Sequence, residues 1–256
     1  MPLIVACFFW LDPARQRNVQ LTPNDVRIWR NMVERNLTVP HRIVCCTHRP
    51  DLIDFMDTVP LDLSKHVPGL CTVKLAAHKP GNIAKEGDRV LLMDIDCVVT
   101  GNLDDLIVAP DIYCRSRAFW VNPNYEQGGR RGFIQGSMQL FTVGATTFLY
   151  EDFDPRSTPS WLNRRFGGGE QAWISERMNT DYPEAGWNWI HDDLETGFWR
   201  EKHGVYGAGR LVGGKMGNGV TSELPANARI VYTPGDRSPS QPEFMARHPW
   251  AREFWH

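Results

Sequence analysis

The chain opens on an unbroken apolar run, Leu3–Phe9, with no polar position to face water. Such a run predicts a strand covered on both faces, as in a parallel sheet. Thr22-Pro23-Asn24-Asp25 then supplies an N-cap hydroxyl, a proline suited to the first helical position and an acid for the positive helix end. Val26, Trp29, Met32, Val33 and Leu37 recur at helical spacing, so residues 22–37 are expected to form a helix with one buried face. Residues 42–47, 71–77 and 89–93 read as the second, third and fourth strands. The opening is therefore β-α-β, which predicts an α/β sheet with crossover helices.

Farther along, 111–120, 139–143 and 229–232 read as strands. Residues 146–153 and a segment from Glu170 onward read as helices, and 122–132, rich in Asn, Gly and Arg, as a loop. Residues 181–228 mix Gly, Trp and charge without a period that assigns them. There is no repeat, low-complexity tract or clear linker, so residues 1–256 are expected to form a single domain.

Composition adds constraints. The chain is 42% hydrophobic and 23% charged, enough apolar material for a sizeable core. Lys and Arg total 28 against 30 Asp and Glu, a net charge of −2, which is not the footprint of a general nucleic-acid binder. Six cysteines, at 7, 45, 46, 71, 97 and 114, form no Cys-x-x-Cys pair. Several lie inside apolar runs and read as buried thiols, in keeping with a reducing cytoplasm. The apolar start lacks a positive leader and a small-residue cleavage site, and no run is long enough for a membrane span. A cytoplasmic protein is expected. The tail, with Arg247, His248, Trp250, Arg252, Phe254, Trp255 and His256, reads first as a packed segment and second as a membrane-surface contact.

Candidate chemistry centres on Asp94 and Asp96, just past the apolar strand at 89–93. Ligand sites in open α/β sheets gather at the carboxyl ends of strands. On an extended chain, side chains two residues apart share a face, so both carboxylates could approach one hard cation. Mg²⁺ and Mn²⁺ favour such oxygen ligands, and Mg²⁺ is commonly held by one or two carboxylates plus substrate phosphates. The bland alternative is two surface aspartates at a strand end. Asp94-Ile95-Asp96-Cys97-Val98-Val99 also resembles the nucleophile motif of haloacid-dehalogenase-like phosphatases, which implies phosphorylation of Asp94 with Asp96 as acid/base. That motif sits on the first strand of its fold, whereas here more than ninety residues precede it. Its later signals, Lys202 and Asp192-Asp193, occur in the wrong order.

The longer segment from Leu91 through Asp94-Ile95-Asp96 and Gly101-Asn102-Leu103 to Leu106 resembles the metal-binding segment of GT-A glycosyltransferases. It is most similar to the glycogenin and lipopolysaccharide-galactosyltransferase group. Three later segments follow in that group's order. Gln135-Gly136-Ser137 resembles its Asn-Ser-Gly strand with the small pair permuted, and Glu170-Gln171 its acidic-Gln helix start. Residues 230–239 resemble its terminal strand and phosphate loop, but carry no His and have Ser238 where a Lys is usual.

The resemblance implies a GT-A, Rossmann-like fold with a mixed, mostly parallel sheet flanked by helices. It implies a metal-dependent glycosyltransferase of hexosyltransferase type that uses a nucleotide sugar, a UDP-sugar by family habit, with retention of configuration. Asp94 and Asp96 would serve Mn²⁺ or Mg²⁺. Phe9 or Trp10 would stack on the base, and Gly235 and Arg237 would meet the diphosphate. Gln135 and Ser137 would face the sugar or acceptor, and Glu170 and Gln171 would lie near the anomeric carbon as the catalytic pair. The acceptor stays open among saccharide, protein, small molecule and modified base. Besides the phosphatase, a non-catalytic nucleotide- or sugar-binding protein remains an alternative, motivated by the missing His. His191 and His248 are candidates to replace it.

Overall fold

The structure is a computed structural model. It describes residues 2–11, 21–107, 112–116, 133–157, 169–180, 188–189, 199–201, 205–207, 211–212, 215–216, 223–233 and 238–256. The first half runs β1 (Leu3–Phe9), α1 (Pro23–Asn36), β2 (His41–Thr47), β3 (Asp57–Pro60), a 3-10 helix (Thr72–His78), β4 (Arg89–Met93), β5 (Val98–Val99) and α2 (Asp104–Ile107). The second continues with β6 (Ile112–Ser116), β7 (Phe133–Thr142), α3 (Phe148–Glu151), α4 (Glu170–Thr180), β8 (Asn188–Trp189), β9 (Trp199–Glu201) and β10 (Val205–Gly207). It ends with β11 (Leu211–Val212), β12 (Lys215–Met216), β13 (Ile230–Tyr232), α5 (Pro242–Arg247) and a 3-10 helix (Pro249–Glu253).

The main sheet has the order β3-β2-β1-β4-β7-β6-β8. β1 pairs in parallel with β2 and β4, β2 with β3, and β6 with β8. β7 is antiparallel to both of its neighbours, so it alone opposes the direction of the other six. The mixed, mostly parallel sheet expected from the sequence is therefore present. From β1 the chain passes outward to β2 and β3, then returns to place β4 on β1's other side. This reversal is the topological switch at which open α/β sheets form a ligand crevice.

Residue alternation divides the core into two layers. Leu3, Val5, Cys7 and Phe9 of β1 join Leu91 and Met93 of β4 in the layer under α1. Ile4, Ala6 and Phe8, with Val90 and Leu92, face the opposite layer, beneath the Thr72–His78 helix, α3 and α4. α1 begins as its residues suggest: Thr22 and Asp25 form a reciprocal capping box, and Val26, Trp29, Met32 and Val33 are buried. The tail packs. Phe244, Trp250, Ala251 and Trp255 belong to the α1-side layer, and Arg35 donates to the carbonyls of Phe254 and His256. No described helix is long and apolar enough to cross a membrane. Cys7, Cys45, Cys46, Cys71 and Cys97 form no disulfide.

Two expectations are corrected. The segment at 71–77 is not a strand. Thr72–His78 forms a 3-10 helix with every residue buried, and a short apolar run carries no period that separates these outcomes. The third strand is Asp57–Pro60, too short and polar to announce itself. In addition, β7 starts at Phe133, earlier than the apolar pattern indicates, because Gln135 and Gly136 interrupt that pattern. The expected loop at 122–132 lies outside the described residues, as do Lys202, Asp192-Asp193 and His191.

Candidate active site at the end of β4

β4 delivers Asp94 to the carboxyl edge of the sheet, beside the switch point. The chain then turns rather than continuing extended: Cys97 N–H donates to Asp94 O at 3.2 Å. Asp94 therefore opens a turn that contains Asp96, and the two do not share a strand face. Asp94 N–H and Cys97 Sγ both donate to Ser137 O, at 2.8 and 3.7 Å. Thr233, just past β13, donates its hydroxyl to Asp96 O at 3.1 Å. The acidic turn is thus fastened to β7 on one side and to the last strand on the other.

β7 carries an irregularity at this point. Tyr113 pairs with Gln139 but Cys114 pairs with Gln135, so residues 136–138 have no direct partners on β6. Bulges of this kind re-aim side chains near binding sites. Gly136 occupies the bulge because nothing larger fits. A Cβ there would lie 2.6 Å from Glu170 Oε1 and 2.7 Å from Gln171 Cγ. The missing side chain lets the start of α4 rest on β7.

This close approach brings together three charged groups. Lys74, on the 3-10 helix, reaches Asp94 Oδ1 in a direct ion pair. Its ammonium also lies 3.1 Å from Glu170 Oε1, an ion-pair contact whose angle falls outside hydrogen-bond geometry. Lys74 and Glu170 side chains are 6% and 2% exposed, and Asp94 is 24% exposed. Burial would depress the Lys74 ammonium, but the charges of Asp94 and Glu170 outweigh it and hold the pKa above the ordinary lysine value. Nearby, the Cys97 thiol is pushed up by burial and then by Asp94 and Asp96, which keeps it neutral and unreactive.

His78 anchors the helix that carries Lys74. Its Nδ1 is 2.8 Å from Thr146 Oγ1 and its Nε2 is 3.2 Å from Gln139 Oε1, while its ring stacks on Phe141 at 4.3 Å. Burial pushes its pKa down to about 3, against the opposing hydrogen bond to Gln139, so the ring is neutral near pH 7.

The expected site residues divide. Asp94, Glu170 and the backbone of Ser137 converge, with Gln171 half-buried beside them and Asp96 within the turn. Phe9 is 2% exposed and lies in the α1-side core. Trp10 is half-buried and packs with Leu61 and Val67 against the opposite layer. Gln135 lies in β7 opposite Cys114. Gly235 and Arg237 lie outside the described residues. His248 is buried against Phe244 and Trp250 in the tail. Sequence reasoning missed Lys74. Its one signal was a lone lysine inside the apolar stretch Val73–Ala77, where a charge requires a partner.

Among the described residues no cluster of three or more His, Cys, Asp or Glu could hold a metal ion. Asp94 and Asp96 do supply hard carboxylate oxygens, and these suit Mg²⁺ or Mn²⁺ that completes its shell with substrate phosphates. The donor chemistry therefore fits a metal held jointly with a diphosphate.

No family model matches the chain, and no curated protein matches it in sequence. Solved structures do. The galactosyltransferase LgtC, in complex with donor and acceptor sugar analogs, aligns over 100% of this chain and 97% of its own, with TM-score 0.56 and 12% identity. An active-site mutant of LgtC aligns over the same shares, with TM-score 0.56 and 11% identity. With its mostly parallel sheet, its reversal at β1/β4 and this whole-chain likeness, the chain has the fold of the GT-A glycosyltransferase LgtC.

Proposed function

We propose that the protein is a glycosyltransferase that transfers a sugar from a nucleotide-sugar donor, a UDP-sugar, to an acceptor alcohol or amine with retention. One observation carries this reading. Asp94, Lys74 and Glu170 meet at the carboxyl end of β4, beside the switch point, in a fold shared over the whole chain with a galactosyltransferase. Asp94 and Asp96 would hold Mn²⁺ or Mg²⁺ there. When bound, the ion supplies Lewis-acid neutralisation of the departing diphosphate. Gly235 and Arg237 follow β13 and are assigned to the diphosphate, and Trp10, which follows β1, to the base. Phe9, buried in the α1-side layer, is left to the core.

In transfer, the bond from the anomeric carbon to diphosphate oxygen breaks and its electron pair leaves with the nucleotide. The acceptor oxygen or nitrogen forms the new bond on the face from which the diphosphate leaves and passes its proton to the departing diphosphate oxygen. Gln171, half-buried at the start of α4, is assigned to the sugar side of the cleft with Gln135 and Ser137. Glu170 stabilises positive charge developing on the ring through its position and keeps Lys74 in place. Positioning of this kind acts because the charges are fixed before the donor arrives.

Calorimetry with UDP, with and without Mn²⁺, tests the reading. Metal-dependent UDP binding that Asp94→Ala abolishes supports it. Metal-independent binding unaffected by Asp94→Ala overturns it. Phosphate-ester hydrolysis with a trapped phospho-Asp94 would establish the phosphatase instead. A screen for UDP or GDP release from nucleotide sugars then identifies the donor, and binding without turnover of any of them favours a binding protein.

A further inference from the structure

We infer that Lys74 is a positioning residue that holds Asp94 before a metal arrives, and that a divalent ion entering at Asp94 and Asp96 must take Asp94 from it. This rests on the metal-dependent reading above. The ammonium cannot retreat to water: its side chain is 6% exposed and all seven residues of its helix are buried. The helix is pinned four residues later by His78, through Thr146, Gln139 and Phe141. Within that enclosure Lys74 has two carboxylate partners on opposite elements, Asp94 at the end of β4 and Glu170 at the start of α4. If Asp94 turns to a metal, the ammonium retains Glu170.

The balance of charge points the same way. Asp94, Asp96 and Glu170 against Lys74 leave two negative charges, the amount one divalent cation brings. Lys74 thus offsets the third carboxylate and weakens the pull on the metal. A residue that merely shaped the site would, when replaced, weaken metal binding. A residue that competes for Asp94 would, when replaced, strengthen it.

The test is titration of Mn²⁺ in the presence of UDP, followed by the electron paramagnetic resonance of free Mn²⁺, on wild type, Lys74→Met and Glu170→Gln. Lys74→Met is expected to bind Mn²⁺ more tightly, by about tenfold. Mn²⁺ should also raise its melting temperature more than that of wild type. Glu170→Gln, which keeps shape and leaves Lys74 wholly on Asp94, is expected to bind more weakly by a similar factor. Equal affinity in wild type and Glu170→Gln overturns the inference, even if Lys74→Met fails to fold. So does weaker binding by a folded Lys74→Met. A wild type that takes up no Mn²⁺ with UDP overturns the metal-dependent reading itself, and this inference falls with it.

Discussion

Two groups of acids lie within a dozen residues of each other, and their surroundings differ. Asp94 faces a buried ammonium that also contacts Glu170. Asp104, by contrast, accepts from Thr38 N–H, the Thr38 hydroxyl and Val39 N–H, and these bonds hold its pKa down to about 2. Its neighbour Asp105 pairs at 2.7 Å with Arg229. Leu103 N–H donates to Asn36 O, and Gly101 has no room for a side chain because Ala228 O would lie 2.9 Å from its Cβ. The second group therefore closes the end of α1 against the last strand. A carboxylate met by backbone N–H groups and hydroxyls fixes the chain, whereas one held by a buried ammonium with a second carboxylate partner retains chemistry to offer.

The largest expected effect is at the shared lysine. Lys74→Met leaves Glu170 buried without its counter-charge and should lower unfolding free energy by about 3–5 kcal/mol, measured by urea denaturation without metal. Loss of less than about 1 kcal/mol would mean that the two groups do not differ as described. Gly136→Ala comes next. The new methyl meets Glu170 and Gln171, and overpacking of this kind costs about 1–3 kcal/mol. It should also weaken donor binding, because α4 can no longer rest on β7.

His78 gives a pH test. Its folded pKa, about 3, lies below the ordinary histidine value, so the unfolded chain takes up a proton first. The stability this neutral ring contributes is intact above about pH 6.5 and is lost progressively as pH falls toward 3. Wild type should lose more stability between pH 7 and 4 than His78→Gln, since both share all other titrating groups. Two parallel curves would remove the clamp from the account.

Smaller effects are expected at the other acidic group. Asp104→Ala should lower the melting temperature yet leave Mn²⁺ and UDP affinity unchanged. Asp105→Ala, which breaks only an exposed pair, should stay within about 1 kcal/mol of wild type. A loss of UDP binding in either would abolish the distinction between the two groups.

The same contrast explains what the sequence reveals. β1, α1 and β4 were legible because burial on known faces leaves a period or an unbroken run. Asp94 was legible because strand and acid adjoin. Lys74 was not, because its partners are 20 and 96 residues away and become neighbours only when the 3-10 helix and α4 cover one face of the sheet. Gly136 stood inside a segment already compared with the Asn-Ser-Gly strand, yet the space it leaves for Glu170 depends on a bulge, which no local pattern records. By composition the tail's aromatics suited packing first and a membrane surface second. Trp250 and Trp255 packing beside α1 decides between these for the segment described.

The contact between α1 and the tail has a consequence for how the protein is made. Arg35 holds the carbonyl of a residue 221 positions later, and Trp250 and Trp255 help roof the layer beneath α1. Contacts of such long sequence separation form slowly and late. During synthesis, β1 and α1 emerge more than two hundred residues before Trp250 and Trp255, which complete the cover on their side of the sheet. Until residues 250–256 are available that face lacks part of its cover, and this is the half in which chaperone dependence and misassembly should concentrate.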